Sequence, residues 1–196
     1  MSLELSLKER LLLANQYQIL SRIAGNDLEA GMYNELAIIF TNGYVRDYED
    51  SIELFSDELS NEECKFVIDV LELYRDLYWS WEKSIEIQNN IRKQDVLFKG
   101  FDLNDSVQVK YYSYYQFMVG IQGKWNEIKQ LIEEKEIAGY NSHGFGPSMS
   151  KLSKMISRRL DLKKQKDSWG SPLILEDIEY ILSLIHISEP TRRSYI

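Results

Sequence analysis

Histidine is the side chain best suited to moving protons near neutral pH, and this 196-residue sequence holds two, His143 and His186. His143 stands in the glycine-bounded stretch Asn141-Ser142-His143-Gly144-Phe145-Gly146, and Asp102 closes a similar stretch, Lys99-Gly100-Phe101-Asp102. An enzyme built on them would use His143 as a base and Asp102 as its orienting carboxylate. Both residue types also cap helices and tie loops together through local hydrogen bonds, so the two readings stand side by side. There is neither a Gly-x-Ser-x-Gly elbow nor a Walker loop. Outside His186, discussed below as part of a foreign tail, one histidine and the single Cys64 cannot furnish a zinc tetrad, and the acidic residues lack calcium-loop spacing. No metal and no cofactor is expected.

A second chemistry lies in the stretch 151–166, where Lys151, Lys154, Arg158, Arg159, Lys163, Lys164 and Lys166 face only Asp161. Leu152, Met155, Ile156, Leu160 and Leu162 give the same stretch an apolar side, so it reads as a basic amphipathic helix. The first six of those cations are candidate contacts for an anion such as nucleic acid, and the alternative is a solvated face that neutralises acidic neighbours. The formal charge of -8 opposes indiscriminate phosphate binding by the whole surface. Tyr111, Tyr112, Tyr114 and Tyr115 could stack on bases, though clustered tyrosines also make core on one helical side and interface on the other.

These groups need elements to position them. Prolines are absent from the first 146 residues, which favours long helices. Ser6 with Glu9 and Ser60 with Glu63 fit the capping box, and Asn26-Asp27-Leu28-Glu29 is similar. Helices are expected at 7–24 and 28–42, the second stopped by Gly43, with a shorter one at 47–55. The clearest follows Ser60, where Val67, Val70, Leu71, Tyr74, Leu77, Tyr78 and Trp81 form one apolar stripe that could extend towards Ile91. Further helical faces run through 107–118, 125–137, 151–166 and 176–181. The expected fold is therefore all-α, a single multihelical domain built around a long central amphipathic helix. With 44% hydrophobic and 28% charged residues and no export signal, a cytoplasmic protein without a transmembrane segment is expected.

The residues 182–196, which contain Ser-Leu-Ile-His-Ile-Ser-Glu-Pro-Thr-Arg-Arg, resemble the translation of a transposase-based sequencing adapter. They are expected to be a non-native tail, leaving 1–181 as the domain and removing His186 from the candidates.

Four blocks of residues carry a family resemblance: Glu9-Arg10-Leu11-Leu12-Leu13 with Asn15-Gln16-Tyr17; Cys64, Val67-Ile68-Asp69, Tyr74 and Ser80-Trp81; Phe98 to Asp102 with Tyr112, Tyr115 and Phe117-Met118-Val119; and His143-Gly144-Phe145 with Pro147, Lys151 and Met155. In this order and spacing the chain resembles the YfbU family of bacterial proteins. The resemblance implies a multihelical fold and supplies no catalytic residues. The chain departs from the family pattern in lysine- and glutamate-rich residues around 130–136, and in lacking a polar cap near Ile174. The leading expectation is a non-catalytic protein-interaction or regulatory module that self-associates as a homo-oligomer or takes a protein partner. Nucleic-acid binding through 151–166 and an enzyme using His143 with Asp102 are the alternatives.

Overall fold

The computed structural model describes residues 4–52, 58–165 and 171–183. Among them lie eight α-helices and no strand, so the fold is all-α as expected. The chain groups into two compact units, 1–58 and 59–196.

In the first unit, α1 (Leu7–Ile23) starts at a complete capping box: Glu9 N–H donates to Ser6 Oγ at 3.3 Å, and Ser6 N–H donates to Glu9 Oε2 at 2.8 Å. After a short turn, α2 (Asp27–Asn42) begins with Glu29 N–H on Asn26 Oδ1. It ends at Gly43, whose φ of 73° is the left-handed stop that the sequence suggested. Arg10 reaches from α1 to the carbonyls of Phe40 and Thr41. The short helix expected at 47–55 is instead two 3₁₀ turns, Val45–Asp47 and Glu49–Ile52, with 53–57 outside the described residues. Among the described residues, Ala14, Ile39, Phe40 and Tyr48 form the buried cluster here.

The second unit is organised by α3 (Asn61–Lys83), capped by Ser60 and Glu63. Its Val67, Val70, Leu71, Leu73, Tyr74 and Leu77 are all buried at the centre of the core. The helix does not run on to Ile91. Ser84 adopts an extended conformation, donates its N–H to the Trp81 carbonyl, and uses its hydroxyl to cap α4 (Ile85–Asn90). A serine that can satisfy a new first turn has cut the stripe in two. Trp81 crosses the break by donating Nε1–H to the Ile91 carbonyl at 2.8 Å.

Around α3 pack α5 (Gln108–Gln116), continued by a π turn at Phe117–Ile121, then α6 (Asn126–Glu133), α7 (Met149–Gln165) and α8 (Leu175–Leu182). Ile174 provides no side-chain cap, and its own N–H is satisfied locally, donating to Asp177 Oδ2 at 3.1 Å. Leu182, expected to open the foreign tail, is the last residue of α8 and is buried; residues 184–196 lie outside the described residues.

Charged groups join three of these helices. Arg159 on α7 donates Nε–H to Asp76 Oδ2 on α3 at 2.6 Å, and Lys163 approaches the same oxygen to 2.5 Å. Glu72 accepts from Arg75 at 3.0 Å and from Trp125 Nε1–H at 3.1 Å, while Arg75 also meets Glu127 of α6 at 2.5 Å. The Arg75 guanidinium lies over both the Trp79 and Trp125 rings, at 5.2 and 5.1 Å.

Removing one partner of a buried pair leaves the other charge uncompensated. Asp76→Ala is therefore expected to lower unfolding free energy by about 3–5 kcal/mol in a denaturant titration, since it takes the nearest carboxylate from the buried Arg159 and a partner from the buried Lys163. A loss no larger than that of an exposed carboxylate would contradict this role. Burial also raises the tyrosine hydroxyl pKa values, Tyr78 to about 12 and Tyr74 and Tyr115 well above their ordinary value of 10.0. The folded state thus holds these protons more tightly than the unfolded chain. Their contribution is complete below pH 10 and is lost as pH rises through the folded values, so stability is expected to fall from pH 10 upwards. Urea titrations on the two sides of pH 10 check the sign.

Candidate functional site

Two loops that are distant in sequence are zipped together in the second unit. Phe101 N–H donates to the Tyr140 carbonyl at 3.2 Å, and Ser142 N–H donates to the Phe101 carbonyl at 2.9 Å, giving an isolated parallel bridge between Phe101 and Asn141. Asn141 Oδ1 accepts from His143 N–H at 2.9 Å and from Leu103 N–H at 3.3 Å, so one side chain pins both loops. Gly100 permits the approach. Its φ is 95°, and a Cβ there would stand 2.0 Å from the Tyr140 carbonyl oxygen.

The zipper brings the loops of His143 and Asp102 together without joining the two side chains. Asp102 Oδ1 accepts from the backbone and side-chain N–H groups of Asn104, at 3.0 and 3.1 Å, closing a local turn. His143 is exposed, has a left-handed φ of 48°, and sets Nδ1 3.3 Å from Asn141 Nδ2. No hydrogen bond between Asp102 and His143 occurs among the described residues. Asp102 Oδ2 instead faces Gly144, 3.5 Å from where a Cβ would be. His143 lines a cleft that Asp102 does not.

The six candidate anion contacts are divided between the faces of α7. Arg159 and Lys163, expected on an outward basic surface, are buried and paired with Asp76, because the helix places them on the face that meets α3. Arg158 lies 4.3 Å over the Tyr180 ring and donates to the Tyr180 carbonyl and to Ser183 Oγ. Lys154 and Lys164 are exposed, and Lys151 is half-buried near the start of the helix. The tyrosine cluster is likewise divided: Tyr111 and Tyr115 are buried, and Tyr112 and Tyr114 are half-buried against the same core. Cys64 is half-buried, its Sγ 4.0 Å from the Leu59 carbonyl. Among the described residues no group of three or more His, Cys, Asp or Glu is placed to hold a metal, and no helix is long and apolar enough to cross a membrane.

Two clefts flank the zipped loops, of about 240 and 360 Å³. They share Gln94, Leu97, Lys99 and Phe145. The larger continues over Ile137 and His143, and the smaller reaches Tyr74 and the start of α7. Phe145, held between Gly144 and Gly146, is 79% exposed at their junction. Neither cleft was legible in the sequence, because 94–99, 136–146 and Tyr74 meet only through the core; the glycines around Phe101 and Phe145 were the sole hint.

A comparison with protein families gives a match over residues 3–183 to the family model described as the YfbU domain.

The zipper makes a test by paired substitution. Gly100 and Gly123 both have positive φ, at 95° and 66°, but only Gly100 has backbone against its Cβ position. Both alanine variants carry the left-handed strain, roughly 1 kcal/mol. Gly100→Ala is expected to lose clearly more stability in thermal unfolding, and equal losses would remove the steric argument.

Proposed function

The chain belongs to the YfbU family, and we propose that it acts as a non-catalytic interaction module that self-associates through α1 and α2. The observation that supports this is the surface of the first unit. Leu7, Ile23 and Leu28 are 71–78% exposed, and Leu12, Ile19 and Met32 are 55–60% exposed. Two helices that bury four residues, Ala14, Ala37, Ile39 and Phe40, while exposing nine large apolar ones lack the burial that normally stabilises a helical pair.

Leu12, Ile19 and Ile23 recur at the seven- and four-residue spacings of a helix-packing seam. A second copy offers the same seam, so a two-fold pairing of hairpins would bury both at once in a four-helix arrangement. Each side chain fully removed from water would add about 1.5–3 kcal/mol. The alternatives have less to draw on. Nucleic-acid binding through α7 retains Lys154 and Lys164 as its exposed cations, and the enzyme reading has no Asp102–His143 contact.

Light scattering on the eluting full chain is expected to give an oligomer. Leu12→Glu combined with Ile19→Glu is expected to give a monomer that keeps its helical circular dichroism. A wild-type chain that is monomeric at every concentration would refute self-association. An oligomer that survives both glutamates would refute this surface.

A further inference from the structure

The smaller cleft is lined by donors from three parts of the second unit, Tyr74, Lys99 and Lys151, and lies beside the start of α7. The helix α7 is 17 residues long, and the N–H groups of Met149 and Ser150 in its first turn have no intrahelical partner. That end of the helix carries partial positive charge and favours an anion. Lys151 on the same turn and Lys99 on the facing loop both line the cleft, and neither makes an ion pair among the described residues. On the inner wall is Tyr74, 4% exposed, whose hydroxyl has no hydrogen-bond partner. That hydroxyl lines the cleft without an internal acceptor, so an acceptor bound there would pair with it. The one carboxylate in the wall, Asp95, is held by Arg92 through two hydrogen bonds of 2.8 and 2.9 Å, which offsets its charge.

We propose that this cleft binds a small organic phosphomonoester, with its phosphate between Tyr74, Lys99, Lys151 and the first turn of α7. Donors approach from the core, the loop and the helix, which suits a tetrahedral group better than the two coplanar oxygens of a carboxylate. Two lysines match the roughly two negative charges of a phosphomonoester at neutral pH. The organic part extends into the adjoining cleft, where Leu97, Ile137 and the exposed Phe145 ring offer apolar contact. The site uses none of the residues assigned to self-association, so either proposal can fail without the other.

Titration calorimetry of the full chain with phenyl phosphate, inorganic phosphate and phenylacetate tests the assignment. Phenyl phosphate is expected to bind saturably with one site per chain, more tightly than inorganic phosphate or phenylacetate. Lys99→Met and Lys151→Met are each expected to weaken it roughly tenfold, the usual scale of a charge-assisted hydrogen bond. Lys154→Met, on the exposed side of the same helix, should leave binding unchanged. Tyr74→Phe should weaken binding without lowering the melting temperature, because the hydroxyl it removes has no internal partner. The proposal is overturned if phenyl phosphate shows no saturable binding, if phenylacetate binds as tightly, or if Lys154→Met weakens binding as much as Lys151→Met.

Discussion

The second unit depends on one ridge of α3, on which Glu72, Arg75 and Asp76 stand beside the apolar stripe. Their partners come from α7, through Arg159 and Lys163, and from α6, through Trp125 and Glu127. Apolar burial draws helices together without fixing how far each turns about its axis, whereas short contacts between charged groups admit few arrangements. The ridge therefore accounts for the rotation of α7 that turns two of its cations inward. It also accounts for Trp125, which keeps a left-handed φ of 52° at the start of α6 while its indole is hydrogen-bonded to Glu72 and covered by Arg75. A conformation that bulky residues seldom adopt is held there by contacts at one face and one edge of the ring.

The parts of this fold that were legible in the sequence are those decided within a few residues. Ser6, Asn26 and Ser60 begin helices and Gly43 ends one because a cap acts on donors or acceptors one turn away. The apolar stripe of α3 was equally plain, since its period is a property of the helix itself. Local signals also misled where two of them competed. The stripe continued past Ser84, but the serine's ability to cap a fresh turn ended α3 there. Ile174 offers no side-chain cap, as its type implies, and its own N–H is instead satisfied by the Asp177 carboxylate from inside the helix.

Residues whose roles depend on distant segments were not legible. The charges of 151–166 looked like one surface, and nothing nearby in sequence marks Arg159 as the partner of Asp76. His143 and Asp102 were linked through their glycine-rich settings, and those glycines do mark the place where two loops meet. What they enable is backbone pairing, with Asn141 rather than Asp102 oriented towards the imidazole. The clefts follow from that pairing, since it sets Phe145 and Lys99 side by side above Tyr74.

The spacing of the ridge contacts along the chain bears on how the protein is made. Glu72 waits 53 residues for Trp125, Asp76 waits 83 for Arg159, and Ser80 waits 93 for the backbone of Leu173. During synthesis α3 leaves the ribosome long before these partners exist, with its carboxylates hydrated and its apolar stripe uncovered. At about 5–20 residues per second, that interval lasts several seconds or more. Through it the α3 carboxylates stand without these partners, and the last third of the chain completes the ridge by bringing Arg159 and Leu173 to it.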